Sequence, residues 1–336
     1  MKAWQLHAFG LEHLKAGEVA IPEPKSNEIL IKVGAVSLNF RDKAMVDGIY
    51  LPHLVPERLI PVSDAAGTVV SIGKGVKRFK VGDRVVSHLY THWRDGAPAS
   101  NESEFALGSP LPGGLAENMI LEADGAVLAP ATLSDEEAST LPIAALTAWF
   151  SLVTYGNLKA GETVVIQGTG GVSIFGIQLA HALGARVILT TSSDEKGARA
   201  RALGADEIIN YVKTPDWATE VVRLTGGVGA DHVMDVAGGD GINDSVRAAR
   251  VAGRVSVIGF LTGQTAAVDL MPVIFKQTKI QGICVGHLKA FEEMNVAFDR
   301  YGIKPVVEKV YGFGEAVEAY RHLERGAFGK IVIKIA

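Results

Sequence analysis

The 336-residue chain carries a formal net charge of −4, is 48% hydrophobic and 21% charged, and contains no run of Lys or Arg. That length suggests two domains, and the composition excludes a disordered chain and the basic footprint of a nucleic-acid binder. The longest apolar stretch, Leu141 to Val153, is broken by Pro142, Thr147 and Ser151 and falls short of the roughly 18 residues that span a bilayer. No membrane association is expected; the opening MKAWQLHAFG lacks a signal-peptide core, so the expected compartment is the cytoplasm. Cys284 is the one cysteine, and a single thiol forms neither an intrachain disulfide nor a thiolate-rich zinc site.

The first 125 or so residues read as β-rich. Glu28–Val33, Thr68–Ile72 and Arg84–Ser87 are alternating, β-branched runs, with turn signals at Gly73-Lys-Gly75 and Gly82-Asp83. Residues 94–114, rich in Gly, Pro and Ser, read as a long surface loop, either a lid or simply mobile. Ser134-Asp-Glu-Glu opens a helix with a cap and an acidic first turn, and from there strands and helices alternate. Strands are predicted at Thr163–Ile166, Val187–Thr190, Glu207–Asn210, His232–Asp235, Arg254–Ile258 and Lys279–Val285. Helices fall between them at Val172–Leu183, Asp194–Leu203, Trp217–Leu224 and 242–250. Short apolar strands in this rhythm make an α/β fold with a doubly wound parallel sheet of the Rossmann kind. After 288 come an amphipathic helix, a strand near Pro305–Glu308, a helix over Glu315–Leu323 and a last strand, Lys330–Ile335. This tail is expected to return to the first domain.

The sharpest motif is Gln167-Gly-Thr-Gly-Gly-Val-Ser-Ile-Phe-Gly176, placed after a strand and opening a helix. In such a turn Gly168 makes the tight bend, Gly170 lets the backbone approach a pyrophosphate, and Thr169, Gly171 and Val172 complete the phosphate-facing loop. Ser173 stands where the third glycine of the usual pattern falls, so Gly171 or Gly176 is left to provide close helix–sheet packing. The second strand ends in Thr190-Thr-Ser-Ser-Asp-Glu-Lys196, with hydroxyls at the tip and a lysine one turn on. Ser192 and Ser193 can donate to a 2′-phosphate and Lys196 can neutralise it, which favours NADPH over NADH. Ser192 and Glu195 also read as a helix capping box, and Asp194 would oppose the phosphate if it faced the ribose.

Several segments together resemble one family: Val36-Ser-Leu-Asn-Phe-Arg-Asp42, Asp64-Ala-Ala-Gly-Thr-Val-Val70, Gly73 to Val85, Leu146-Thr-Ala-Trp149, Gly168 to Val172, Leu203-Gly-Ala-Asp206 and Gly329-Lys-Ile-Val-Ile333. The chain is similar to the medium-chain dehydrogenase/reductases, and within them to the zinc-independent, quinone oxidoreductase-like branch. The resemblance implies a GroES-like β-rich catalytic domain (1–124) interrupted by a Rossmann domain (125–288) and completed by the tail (289–336). It also implies an active site in the cleft between domains and a homodimer. The zinc alcohol dehydrogenases of this family carry ligands at the places that here hold Asn39, Ser63 and Ala144, so no zinc is expected. His88 and His92 lie four apart and read as loop histidines at a solvated rim, not metal ligands.

Without a metal, reversible alcohol oxidation lacks its electrophile, whereas quinones and α,β-unsaturated carbonyls need only a few donors and a proton source. By resemblance, Asn39 polarises the substrate carbonyl, unless it is spent on a loop bond. Tyr50, in Asp47-Gly-Ile-Tyr-Leu-Pro52, lines the cleft and donates a hydrogen bond or proton, unless it is an interface aromatic. Arg41 and Asp42 pair, hold the loop, or, for Arg41, touch the pyrophosphate; Asp42 is carried as a catalytic candidate. On the cofactor side the resemblance points to Thr147 at the nicotinamide and Tyr211 beside the 2′-phosphate. Val236 and the run Gly259, Phe260 and Leu261 lie at strand ends, and Lys330 closes the cleft. Gly286-His287 is a weaker candidate. The expected partner is a small carbonyl or quinone substrate. The alternatives are a zinc-free alcohol dehydrogenase or carbonyl reductase, and a nucleotide-binding protein without turnover.

Overall fold

The computed structural model describes residues 1–335. The chain gathers into two compact units, Met1–Leu146 together with the chain from Val285 onward, and Thr147–Cys284. The first unit opens with an antiparallel pair, β1 (Lys2–Leu6) and β2 (Leu14–Glu18). The long strand β3 (Glu28–Leu38) follows, then α1 (Phe40–Val46), β4 (Asp64–Ile72), β5 (Arg84–Ser87), β6 (Asn118–Glu122), β7 (Ala126–Leu128) and α2 (Asp135–Ala138). Alternation in β3 turns Ile29, Ile31 and Val33 into the core, and two register shifts against β4 bend the pair. Residues 94–101 lie exposed on the surface, as the sequence suggests, but 102–114 do not stand off as a free loop. They contain a 3₁₀ turn at Glu102–Phe105, a bridge from Tyr90 to Ala106, and buried Ala106 and Leu107.

Ser134 caps α2 as expected: its hydroxyl accepts the Glu137 N–H at 3.2 Å, and the Glu137 carboxylate accepts the Ser134 N–H at 2.9 Å. Residues 125–146 belong to the first compact unit, where the sequence reading had placed them in the Rossmann domain. The cause is local: β7 pairs with β5, Arg84 grips Asp135 at 2.6 Å, and the Ser37 hydroxyl donates to the Ser139 carbonyl at 2.9 Å. The chain then runs through π-helical turns at Leu141–Ala145 and Phe150–Tyr155 that flank a short α3 (Leu146–Trp149).

The second unit comprises β8 (Thr163–Gln167), α4 (Gly171–Ala182), β9 (Arg186–Thr191), α5 (Asp194–Arg201), β10 (Glu207–Asn210) and α6 (Trp217–Leu224). It continues with β11 (Ala230–Asp235), α7 (Ile242–Ala248), β12 (Ala249–Val257), α8 (Leu270–Lys276) and β13 (Lys279–Gly282). The strands form one parallel sheet in the order β10-β9-β8-β11-β12-β13, the doubly wound order with its switch point between β8 and β11. Its core is β-branched: Val165, Ile188, Ile209, Val221, Val233 and Val255 are buried.

The tail supplies α9 (Leu288–Tyr301), β14 (Val307–Gly312), α10 (Ala316–Glu324) and β15 (Lys330–Lys334). β15 pairs antiparallel with β3, so the first unit's seven-stranded sheet runs β14-β15-β3-β4-β5-β7, with β6 also on β3. The expected return of the tail is therefore built by hydrogen bonding along β3. Among the described residues, no helix is long and apolar enough to cross a membrane.

Candidate active site

The end of β3, the start of α1, the start of β4 and the start of β15 bring four polar side chains together inside the first unit. Asp64 is fully buried, and Asn39 and Lys330 nearly so. The Asn39 amide donates to Asp64 Oδ2 at 2.8 Å, while its Oδ1 accepts from the Lys330 ammonium at 2.6 Å. An ammonium only donates and a carboxylate only accepts, so these two neighbours fix which way the amide faces. Lys330 also donates to the Leu38 carbonyl at 2.8 Å and lies 3.8 Å from Asp64 Oδ2. Asp64 Oδ1 receives the Ser63 hydroxyl at 3.1 Å. Burial pushes the Asp64 carboxyl up and the Lys330 ammonium down, and the opposite charge of each partner works against that. The second amide N–H of Asn39 has no acceptor among the described residues. Asn39 thus presents one oriented donor backed by a buried ion pair.

Asp42 is fully buried and accepts the Asn39 backbone N–H at 2.8 Å. Burial raises its pKa to about 6, the Arg41 charge opposing. It fixes the backbone that carries Asn39, in line with the loop-holding alternative offered for it. The Arg41 guanidinium donates to the carbonyls of Leu107 at 3.1 Å and Ser109 at 2.9 Å. It holds the segment at 107–109. It also lies 5.7 Å over the Tyr50 ring. Tyr50, held by its N–H on the Ala44 carbonyl, helps line a narrow cavity of about 10 Å³ with Arg41, Leu51, Leu54, Tyr90 and Ser103. The Lys330 ammonium is bonded inside the first unit and supports Asn39.

His88 is not a rim residue. It is fully buried, with Nε2 2.8 Å from the Gly286 carbonyl, and burial lowers its pKa to about 4. His92, four residues on, sits 3.2 Å from Glu122 with its ring against Phe105. His287 caps α9, its Nδ1 accepting the Ala290 N–H at 2.9 Å.

In the second unit the glycine motif folds as its spacing requires. Gly168 has φ +70, a left-handed turn at the end of β8. Gly170, in front of α4, has φ −76, which any residue adopts, and a Cβ there would meet no atom within 4 Å. Nothing in the protein's own packing asks for glycine at 170; a backbone left bare at a helix N-terminus fits a pyrophosphate lying on it. The close helix–sheet contact comes from Gly176, where a Cβ would stand 3.0 Å from Met234 Sδ. Ser173, in the third-glycine position, closes the turn with its hydroxyl on the Gln167 carbonyl at 2.7 Å. Thr169 is buried, and Gly171 and Val172 form the first turn of α4.

At the tip of β9 the cap falls one residue later than predicted. Ser193, not Ser192, accepts the Lys196 N–H, at 3.2 Å. Ser192 stays exposed. Asp194 is turned to β10, where its carboxylate pairs with Lys213 and takes the Asn210 amide at 2.7 Å. Its charge is thereby compensated, and the hydroxyls and Lys196 are left to define the tip. Tyr211 is exposed at the end of β10, and Thr147 is buried in α3. Val236, Gly259 and Phe260 are partly exposed and Leu261 exposed, all just past the carboxyl ends of β11 and β12. In the sequence Asp64 enters only as part of a family segment, and Gln167, Asp235 and Ser245 are given no role of their own, because no local pattern marks them.

Two family models match the chain, an alcohol dehydrogenase GroES-like domain over residues 25–131 and a zinc-binding dehydrogenase over 171–300. A zinc-type alcohol dehydrogenase-like protein of Schizosaccharomyces pombe is 39% identical, covering 97% of this chain and 96% of that one. The chain belongs to the medium-chain dehydrogenase/reductase superfamily. A chloroplastic quinone-oxidoreductase homolog of Spinacia oleracea is 31% identical over 97% of this chain and 95% of its own. Among solved structures, an NAD-dependent alcohol dehydrogenase aligns at TM-score 0.89 and 32% identity over 100% of both chains. A 2-octenoyl-CoA carboxylase reductase in complex with NADP and 2-octenoyl-CoA aligns at TM-score 0.90 and 27% identity, over 99% of this chain and 87% of that one. This superfamily member is an oxidoreductase, and its family binds nicotinamide cofactors.

The name of the second family model raises the question of a metal. At the three places marked for zinc ligands stand an amide, a hydroxyl and a methyl group, from Asn39, Ser63 and Ala144. A fixed ammonium already lies 2.6 Å from the Asn39 oxygen. That donor set does not fit tetrahedral zinc.

Proposed function

We propose that this oxidoreductase reduces quinones or α,β-unsaturated carbonyl compounds with NADPH, without zinc. The observation that carries the reading is the Asn39 amide, locked between Lys330 and Asp64 with one N–H left over, in the place where the family's metal would polarise a carbonyl. Residues 168–172 would hold the pyrophosphate. Ser192, Ser193, Lys196 and Tyr211 would hold the 2′-phosphate, and Thr147, Val236 and residues 259–261 the nicotinamide half. The nicotinamide, when bound, supplies a hydride, two electrons with one proton nucleus. The chain's part is to stabilise the negative charge that this puts on the acceptor oxygen. Asn39 donates its oriented N–H to that oxygen, and Tyr50 supplies a hydrogen bond or the proton that completes the reduction. A conjugated acceptor spreads the charge, so one or two neutral donors suffice where an isolated ketone needs a metal. The compensated Asp194 and the adjacent Lys196 support NADPH over NADH.

The test is NADPH consumption against a benzoquinone, an enone and an aldehyde, with an alcohol plus NADP⁺ in parallel. Turnover of the quinone or enone is expected; turnover of the alcohol alone would favour the second reading, a zinc-free alcohol dehydrogenase. That reading is supported by the likeness to the NAD-dependent alcohol dehydrogenase.

The same proposal includes a homodimer through the Rossmann sheet. β13 ends the sheet with all four residues exposed, and α8 beside it exposes Leu270, Met271, Ile274 and Phe275, the last at 73%. An open, four-residue edge next to such an apolar patch calls for a second copy. Phe275→Asp should leave a monomer by light scattering; an unchanged mass, or a monomeric parent, would remove this part of the proposal.

A further inference from the structure

The ends of β8 and β11 and the helix α7 share a buried chain of hydrogen bonds that the proposed chemistry does not use. Gln167, the last residue of β8, donates from Nε2 to Ser245 Oγ at 2.9 Å. Ser245 donates to Asp235 Oδ2 at 2.7 Å. Asp235 Oδ1 accepts the N–H groups of Ala237 at 3.2 Å and Gly238 at 3.0 Å, and Gln167 Oε1 also accepts from Ala237, at 3.3 Å. All three side chains are buried, and Asp235 and Ser245 are inaccessible to solvent.

The bonds continue into the loop after β12. The Asp235 backbone carbonyl accepts the Ile258 N–H at 2.8 Å, the Ala237 carbonyl accepts the Thr262 N–H at 2.9 Å, and Gly238 forms a bridge with Gly263. Gly238 takes φ +70, and a Cβ on it would lie 2.5 Å from the Gly259 carbonyl, so the two loops are in backbone contact. One carboxylate thus fixes the loop after β11, which is bonded through its backbone to the loop after β12, and is linked through Ser245 to the last residue of β8.

A dinucleotide in a doubly wound sheet straddles the switch point, with its pyrophosphate over the β8 loop. The adenosine half then lies toward β9 and the nicotinamide half toward β11 and β12. We propose that Gln167, Ser245 and Asp235 are positioning residues, a buried clamp that presets the β11 and β12 loops for the nicotinamide half of the dinucleotide. This rests on the nucleotide reading above. The clamp's side-chain bonds run only to α7 and to the loop after β11, and none reaches the tip of β9, so its loss should be felt mainly by the nicotinamide half of the ligand.

The test compares two ligands on the full chain, NADPH and its adenosine-side fragment 2′,5′-ADP, by calorimetry, with melting temperature as a check on folding. Ser245→Ala breaks the link between Gln167 and Asp235. It is expected to weaken NADPH by about tenfold, equivalent to about 1.4 kcal/mol, while 2′,5′-ADP binds as to the parent. Asp235→Asn keeps an acceptor for Ala237 and Gly238 and should lose less, which guards against a variant that fails to fold. Equal weakening of both ligands would overturn the proposal by reducing the clamp to general stability, and unchanged NADPH affinity in both variants would overturn it directly. A parent chain that binds neither NADPH nor NADH would remove the nucleotide reading, and the clamp's role with it.

Discussion

Replacing Lys330 by Met keeps the stem's bulk and deletes the cation. Its ammonium lies 3.8 Å from Asp64 Oδ2, and neither side chain reaches solvent to an appreciable degree. At an effective dielectric of about 20, two unit charges at that separation attract by about 4 kcal/mol. Removing one member of a buried pair typically costs about 3–5 kcal/mol, because the other charge is left without compensation. Lys330→Met should therefore lower the melting temperature of the first unit by on the order of 10 °C. Scanning calorimetry at pH 7 reads the transition. Asp64→Asn in the same chain removes the stranded charge, so the double variant should recover most of the lost stability, a coupling of about 3 kcal/mol in the double-mutant cycle. Catalysis should not recover with it, because the Asn39 amide has lost the groups that orient it. A single variant melting within about 1 kcal/mol of the parent would refute the buried-pair argument. Full activity in the double variant would refute the link to Asn39.

Tyr50→Phe should slow enone or quinone reduction at least about tenfold, roughly 1.4 kcal/mol of barrier, with nucleotide affinity unchanged; an unaltered single-turnover rate would take Tyr50 out of the mechanism. Gly170→Ala should fold like the parent, since the new methyl meets open space, yet bind NADPH more weakly; equal affinity by calorimetry would show that nothing lies on that turn. His232 is buried on β11, its Nε2 2.8 Å from Ser256 Oγ, and burial lowers its pKa to about 3. Its folded pKa lies below the unfolded one, so the unfolded chain binds the extra proton and stability falls as pH drops from about 6.5 toward 3, by about 1.4 kcal/mol per pH unit. His232→Gln should flatten the melting temperature's pH dependence between pH 4.5 and 6.5, and an unchanged slope there would count against the buried neutral histidine. Asp42 acts with the opposite sign: its folded pKa of about 6 exceeds the ordinary value, so it costs stability as pH rises from about 4 to 6. Asp42→Asn should remove that cost, and a variant whose melting temperature falls more steeply over that range would contradict it.

The alternation of apolar strands with capped helices made the parallel sheet legible from residues alone, because such strands admit few other packings. The glycine loop was legible for a related reason: Gly168 needs a left-handed turn, and Gly176 leaves room for Met234. The direction of long polar side chains was not. Arg41 and Lys330 stand beside functional segments in sequence, yet one spends its donors on the Leu107 and Ser109 carbonyls and the other on Leu38 and Asn39. Leu38 and Asn39 are brought to Lys330 by β15 pairing with β3, some 290 residues apart in the chain, and Leu107 and Ser109 lie 66 and 68 residues from Arg41. The Gln167–Ser245–Asp235 chain was hidden for the same reason, since its three members come from separate elements and carry no local pattern.

Tracing deuterium from NADPH labelled at the transferring position into an enone, using protein first treated with a strong chelator, tests the whole account at once. The label is expected on the carbon β to the carbonyl, at a rate that chelation does not change. Label on the carbinol carbon of an alcohol product, formed only after zinc is returned, would contradict it.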